Sequence, residues 1–144
     1  MRRGIHHKKT NVLVLFLLGI GAVLIFYLSW KVDPNLEETS FIPEWLAEWA
    51  DNAHNDRKRT GVPFIGLGIL LGGYLLYVGK STVNNWSIAW LIMIIVVGIA
   101  ELGQYFLPSR SPDIEDIIWG GLGAGVGLAL PWCARFIWRF LKTN

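Results

Sequence analysis

The hydrophobic positions of this chain are gathered into four long runs, at residues 11–30, 62–79, 86–107 and 117–137. Each run is close to the ~20 residues that a helix needs to cross a bilayer. The first run has no charged residue, and its length corresponds to ~30 Å of helix. The pattern predicts an all-α integral membrane bundle of four transmembrane helices, formed by residues 1–144 as one domain.

A shorter amphipathic segment, residues 42–54, lies between the first two runs. A proline near its beginning suits the start of a helix, and apolar residues then recur on one helical face while acids occupy the other. The apolar positions are Ile42, Trp45, Leu46, Trp49 and Ala53, and the acidic positions are Glu44, Glu48 and Asp51. The segment is therefore interpreted as a short interfacial helix, either a lid over the ends of the long helices or part of a ligand site.

The composition agrees with a membrane location and excludes several protein classes. Hydrophobic residues make up 53% of the 144 residues and charged residues 17%, which is too apolar for an ordinary soluble domain of this size. No glycine pattern follows a strand or opens a phosphate-binding turn, so a nucleotide-binding α/β domain is excluded. The single cysteine, Cys133, excludes a disulfide scaffold. We expect membrane lipid as a partner and expect no cofactor, metal or nucleic acid.

Charged residues are sorted along the chain. If the N-terminus is cytoplasmic, the inner segments hold eight cations and no acid, and the outer segments hold five cations and ten acids, with the eleventh acid, Glu101, just inside the third helix. The inner cations are Arg2, Arg3, Lys8, Lys9, Lys80, Arg135, Arg139 and Lys142. Because Lys and Arg near the ends of spans favour the cytoplasmic side, the sequence predicts a plasma (inner) membrane protein with both termini cytoplasmic.

Glycines form stripes on one face of the second predicted helix and on one face of the fourth. The positions are Gly61, Gly68, Gly72 and Gly79, followed by Gly120, Gly123 and Gly127. Small residues let helices approach closely in a membrane, where burial from water no longer drives association. We interpret the stripes as packing seams within one chain, with a seam between two chains as the alternative.

A polar stretch joins the third run to the fourth. Glu101 and Gln104 share a face of the third helix, with Glu101 about 9 Å below the helix end if the helix continues to Leu107. At that depth an acid must be paired, protonated or hydrated, and ionisable residues within spans often mark functional sites. These two residues are therefore candidates for an intramembrane polar site.

The turn that follows supplies further candidates. Prolines on both sides of Arg110 stop the helix and bring this arginine back over the helix ends. Asp116 lies at the start of the fourth helix, where negative charge is favourable. We predict an outward-facing polar pocket formed by Glu101, Gln104, Arg110 and Asp116. The alternative is an ion pair of Arg110 with Glu101 or Asp116 that fixes the helical hairpin, and an arginine at this place disfavours a metal site.

The order of these residues resembles the VanZ family of small multi-span proteins of bacterial envelopes. The family pattern is approximately E-x-x-Q, a short proline-containing turn, arginine, and then D-x-x-x-N-x-x-G-x-x-x-G. The matching residues are Glu101, Gln104, Arg110, Asp116, Gly123 and Gly127. Gly120 stands at the asparagine position, which removes a polar side chain from the pocket face.

The resemblance covers about residues 41–130 and adds Gly120 to the candidate ligand-binding residues. Members commonly carry a D-K-x-x-H element before the second span, and its nearest match is Asp51-Asn-Ala-His54, without the lysine. The founding member is associated with lowered teicoplanin susceptibility. The resemblance thus implies an envelope protein that affects this susceptibility.

Three functions are compatible with these residues. The first is binding of a membrane lipid, a lipid-linked envelope component or a lipoglycopeptide at the outward-facing pocket. The second is a structural or accessory membrane subunit without catalytic activity. The third is an enzyme acting on lipid or cell-wall intermediates with Glu101 or Asp116 as general acid or base. The sequence contains no Ser-His-Asp set and no HExxH element, so catalysis is less favoured than binding.

Overall fold

The computed structural model describes residues 2–33, 35–37, 39–55 and 58–143. These residues form five α-helices and contain no strand, which confirms the all-α prediction. The helices are α1 (Arg2–Ser29), α2 (Glu44–Asp51), α3 (Gly61–Tyr77), α4 (Val83–Gln104) and α5 (Ile114–Thr143). A 3-10 turn, Lys58–Thr60, leads directly into α3. Four of these helices, α1, α3, α4 and α5, are long and apolar enough to cross a membrane.

The long helices alternate in direction, so that four of their termini meet near α2. The indole N–H of Trp30, which follows α1, donates a hydrogen bond to the carbonyl of Ala100 near the end of α4, at 3.0 Å. At the start of α3, a methyl group on Gly61 would lie 3.0 Å from the carbonyl oxygen of Trp119 in the first part of α5. We call this side of the molecule the α2 end of the bundle.

Glycines bring α3 and α5 into the closest packing of the bundle. A methyl group on Gly68 would lie 2.8 Å from the carbonyl oxygen of Ala124 and 2.8 Å from Cα of Gly127. Similarly, a methyl group on Gly123 would collide with the carbonyl oxygen of Gly61. The structure thus shows that most of the glycine stripe positions are packing seams within one chain, as close backbone approach in a membrane requires.

The other two long helices complete the core around this pair. α1 packs against α3 and α4, and α4 also packs against α5. Phe64 of α3 and Val97 of α4 are the largest side chains that are fully buried, and Ile25 of α1 joins the same cluster. The core is therefore narrow, and many large apolar side chains remain on the outside of the bundle, as is usual for a protein that is solvated by lipid.

The connection between α3 and α4 is a compact turn at the opposite end. Gly79 has a positive φ of 74°, and the N–H of Lys80 donates to the carbonyl of Leu75 at 2.9 Å, which ends α3 in the manner of a Schellman motif. The hydroxyl of Thr82 then accepts a hydrogen bond from the N–H of Asn85 and caps α4. This glycine of the predicted stripe therefore serves as a helix terminator.

Several boundaries differ from those that the hydrophobic runs predict. α4 occupies Val83–Gln104 rather than 86–107, α5 begins at Ile114 rather than at 117, and α2 is shorter than the segment 42–54. Hydropathy locates apolar segments, whereas the ends of helices are set by caps and prolines. Three residues of the predicted outer charge set, Glu38, Asp56 and Arg57, lie outside the described residues.

Candidate functional site

Glu101 and Gln104 form a buried polar pair in the last turn of α4. Glu101 is only 3% exposed and Gln104 only 7%. The side-chain amide of Gln104 donates to Oε1 of Glu101 at 3.0 Å and to the hydroxyl of Ser29 at 3.0 Å. The pair therefore links α4 to the end of α1 by hydrogen bonds between side chains that are shielded from solvent.

The depth of Glu101 differs from the expectation. Because α4 ends at Gln104, Glu101 lies about 4.5 Å from the helix end, half the distance expected for a helix that continues to Leu107. The N–H groups of Phe106 and Leu107 bond to carbonyls three residues earlier, which is the tighter geometry of a helix end. Pro108 follows, and a residue that precedes proline disfavours the helical conformation.

The carboxylate of Glu101 also connects α4 to the start of α5. Its Oε2 accepts a hydrogen bond from the backbone N–H of Asp113 at 3.2 Å. Oδ1 of Asp113 in turn accepts from the N–H of Glu115 at 2.9 Å, so the side chain of Asp113 caps α5. One buried carboxylate therefore holds both ends of the α4–α5 hairpin.

Arg110 extends from the turn to the end of α1. Its Nε donates to the carbonyl of Lys31 at 3.2 Å and its Nη2 donates to the carbonyl of Leu28 at 3.4 Å. Carbonyl groups at a helix C-terminus carry partial negative charge, so a guanidinium is favourable there. Arg110 thus fixes the turn against α1, a contact that was not expected from the sequence.

A cavity of about 400 Å³ lies at the α2 end of the bundle. Four of the five candidate residues line it: Glu101, Gln104, Arg110 and Asp116. The fifth, Gly120, is not among the lining residues, because it faces Val97 so closely that a methyl group there would lie 2.8 Å from a methyl carbon of this valine. The structure therefore brings together all of the predicted polar side chains and places Gly120 in the α4–α5 packing.

The remaining walls of the cavity are mostly apolar and come from four helices and the segment before α2. The lining apolar residues are Ile25, Leu28, Leu36, Phe41, Ile42, Pro43, Leu46, Trp49, Ala50, Val62, Pro63, Phe64, Val97 and Ala100. Polar side chains are concentrated in the candidate residues together with Ser29, Arg59 and Thr60. Such a cavity can accommodate a hydrocarbon group and can offer hydrogen bonds to a polar group attached to it.

The short helix α2 forms one wall of the cavity. Its buried residues are Ala47 and Ala50, whereas Trp45 is 69% exposed. Leu46 and Trp49 line the cavity. The prediction of an amphipathic helix at this place is therefore correct, but its most buried residues are these two alanines rather than the predicted Trp45.

Arg59 is a site residue that the sequence pattern did not single out. It lines the cavity from the 3-10 turn before α3, and its Nη1 lies 3.6 Å from Oδ1 of Asp51. The other oxygen of Asp51 accepts hydrogen bonds from the N–H groups of Leu36 and Glu37, at 2.7 and 3.0 Å. In the sequence Arg59 is one cation in a charged linker, so only the folded position distinguishes it from its neighbours.

The remaining polar features are a histidine outside the cavity and the residue types that ligate metal ions. His54, the nearest match to the histidine of the second family element, is exposed and does not line the cavity. Within the part of the chain that the structure describes, no group of three or more His, Cys, Asp or Glu residues is arranged to hold a metal ion.

Comparison with models of known protein families gives a match. The family model VanZ/LLP1 matches residues 10–138, which is most of the chain and includes α3 and α4, most of α1 and α5, and all the residues that line the cavity. Comparisons with curated proteins and with solved structures found no match. Both the helical architecture and the family match describe a multi-pass membrane protein. The chain belongs to the VanZ/LLP1 family.

Proposed function

We propose that this chain is an envelope membrane protein that binds an amphiphile in the cavity at the α2 end and thereby lowers susceptibility to teicoplanin-type glycopeptides. The observation that carries the proposal is the composition of the cavity, in which apolar walls from α1, α2, α3 and α4 lead to a group of acidic, amide and arginine side chains. A membrane lipid, a lipid-linked envelope component and a lipoglycopeptide all have a hydrocarbon part joined to a polar part.

The rim of the cavity favours a ligand from the membrane. Phe41 and Val62 line the cavity and are 58% and 41% exposed, so apolar side chains form part of the cavity's rim at the protein surface. The volume of about 400 Å³ lies within the range of ~300–1,000 Å³ for ligand pockets. A single acyl chain can enter over this apolar rim without exposing itself to water.

We also propose that the α2 end faces the outside of the cytoplasmic membrane. Residues 78–86 and 130–143, at the opposite end, contain no acid, and Lys80, Arg135 and Arg139 are exposed there. A concentration of Lys and Arg at span ends favours the cytoplasmic side. In this orientation the cavity opens where glycopeptides and lipid-linked cell-wall components meet.

The function is tested by teicoplanin susceptibility of cells that express the chain. Wild type is expected to lower susceptibility, and Arg110→Ala is expected to lose this effect because it removes a guanidinium from the cavity. Lys80→Ala is a matched control, since it removes one cation at the opposite, exposed end. Equal susceptibility of cells with wild type and with Arg110→Ala, at matched protein levels, contradicts the proposal.

A structural role is the second candidate function, and one observation favours it. Glu101, Gln104 and Arg110 all use their polar atoms to join α1, α4 and the start of α5. If these residues only hold the bundle together, Arg110→Ala will lower thermal stability in detergent and leave the amphiphile content of the purified protein unchanged. The two candidate functions therefore differ in a measurable property of one variant.

A further inference from the structure

We propose that the cavity selects amphiphiles with an anionic headgroup, a phosphate or a carboxylate, which Arg59 binds in exchange for Asp51. This inference rests on the proposed function, because it names the ligand class of the same cavity. It adds a residue that lies outside the family pattern and a preference that amphiphile binding alone does not require.

The first argument is the geometry of Arg59. The distance of 3.6 Å between its Nη1 and Oδ1 of Asp51 exceeds the ~2.7–2.9 Å of a well-formed charge-assisted hydrogen bond. A guanidinium has five N–H donors in a planar fork, which matches the oxygens of a phosphate or carboxylate. The guanidinium of Arg59 is therefore only loosely paired with the carboxylate of Asp51. An oxyanion of a ligand that binds the guanidinium more tightly can replace this carboxylate.

The second argument is that Asp51 keeps other partners when Arg59 turns to a ligand. Its Oδ2 accepts hydrogen bonds from the backbone N–H groups of Leu36 and Glu37. Leaving a carboxylate buried without partners would be costly, but these two bonds to Oδ2 do not involve Arg59, so the exchange removes only the ion pair at Oδ1. When a ligand oxyanion replaces Asp51 at Arg59, the segment before α2 therefore stays hydrogen-bonded to Asp51.

The third argument is the distribution of charge around the cavity. Arg59 and Thr60 lie directly before α3, whose N-terminus adds positive potential. On the other side, Glu101 and Asp116 also line the cavity and oppose an anion. Both carboxylate oxygens of Glu101, however, accept hydrogen bonds from the protein, one from Gln104 and one from Asp113. An anionic headgroup is thus most favourable beside Arg59.

The inference is tested by binding of single-chain lipids to the purified full-length protein in an uncharged detergent. The probes have the same acyl chain and differ in headgroup: lysophosphatidic acid, the free fatty acid, lysophosphatidylcholine and monoacylglycerol. Dissociation constants are measured by native mass spectrometry. We expect the two anionic lipids to bind about tenfold or more tightly than monoacylglycerol, the ratio that corresponds to one charge-assisted hydrogen bond.

Three variants locate the preference. Arg59→Gln is expected to remove the preference for anionic lipids, and Lys58→Gln, which removes an exposed cation of the same turn, is expected to keep it. Arg59→Lys retains the charge and is expected to keep a weaker preference, so it provides the test if Arg59→Gln does not fold.

The possible outcomes distinguish this inference from the proposed function. If all four lipids bind wild type equally, or if Lys58→Gln loses the preference as completely as Arg59→Gln, the anionic selectivity is wrong while amphiphile binding stands. If no lipid binds wild type, both proposals are wrong. If lysophosphatidic acid alone is preferred, the headgroup is a phosphate, and if the fatty acid alone is preferred, it is a carboxylate.

Discussion

Replacement of Gln104 by methionine tests the polar connection between α1 and α4. The change keeps an unbranched side chain of similar length and removes the amide that donates to Ser29 and to Glu101. A hydrogen bond between membrane helices contributes about 0.6 kcal/mol on average, and one to a charged group contributes about 1.5–3 kcal/mol. We therefore expect Gln104→Met to lower the free energy of unfolding by about 2–3.5 kcal/mol.

The assay is reversible unfolding of the purified protein in mixed micelles of mild detergent and dodecyl sulfate. Ser29→Ala serves as a comparison, because it removes the hydroxyl that accepts from Gln104 and donates to the carbonyl of Ala100, two bonds that together are expected to contribute about 1.2 kcal/mol. In the double variant the bond between Ser29 and Gln104 is lost only once, so the total loss should be about 0.6 kcal/mol smaller than the sum of the two single losses. A Gln104→Met protein that is within about 0.5 kcal/mol of wild type, the range of an ordinary surface substitution, would refute the reasoning.

Two further predictions concern packing and orientation. Gly68→Ala is expected to lower the free energy of unfolding by about 1–3 kcal/mol, because its methyl group would lie 2.8 Å from the α5 backbone. Gly66→Ala, with nothing within 4 Å of the added methyl group, should leave the free energy of unfolding unchanged. Equal effects of the two variants in a detergent unfolding assay would contradict close packing of α3 against α5 at Gly68. In spheroplasts of a Cys133→Ser background, a membrane-impermeant maleimide should label Glu44→Cys and not Lys80→Cys, and the reverse labelling would contradict the proposed orientation.

Much of the fold follows from the sequence because lipid imposes a simple rule on it. A segment that crosses a bilayer must satisfy its backbone hydrogen bonds internally and must be apolar for ~20 residues, so the four runs identify the long helices. The glycine stripes likewise predict where backbones approach, and Gly68 and Gly127 do meet in the structure. The helix ends are less predictable, since the end of α4 at Gln104 depends on the turn that follows.

The site is predictable only where its residues are close in sequence. Glu101, Gln104, Arg110 and Asp116 lie within one hairpin, and helical spacing alone brings them to one end of the bundle. Arg59 joins them from a different segment, and no local pattern distinguishes it from Lys58. Arg59 reaches the cavity because α3 and the turn before it pack against α5, and this packing does not appear in the sequence as a spacing between residues.

Ser29 and Gly120 also show what the sequence alone does not predict: Ser29 is a site residue that it missed, and Gly120 is a predicted site residue that lies outside the cavity. A serine at the end of a span is common and carries no signal, yet Ser29 is hydrogen-bonded to both Gln104 and the carbonyl of Ala100. Gly120 stands where the family pattern has an asparagine on the pocket face, but the rotation of α5 turns this position toward Val97. In both cases the packing of one helix against another determines whether the residue belongs to the site.

The most direct test of amphiphile binding is the lipid content of the purified chain. The protein is extracted in mild detergent, and co-purifying lipids and small molecules are quantified by mass spectrometry for wild type, Arg110→Ala and Lys80→Ala. We predict that one class of amphiphile is enriched over the bulk lipids in wild type and in Lys80→Ala and is depleted in Arg110→Ala. If wild type contains only the bulk lipid mixture, in the same amounts as Arg110→Ala, the cavity does not bind an amphiphile and the central claim is wrong.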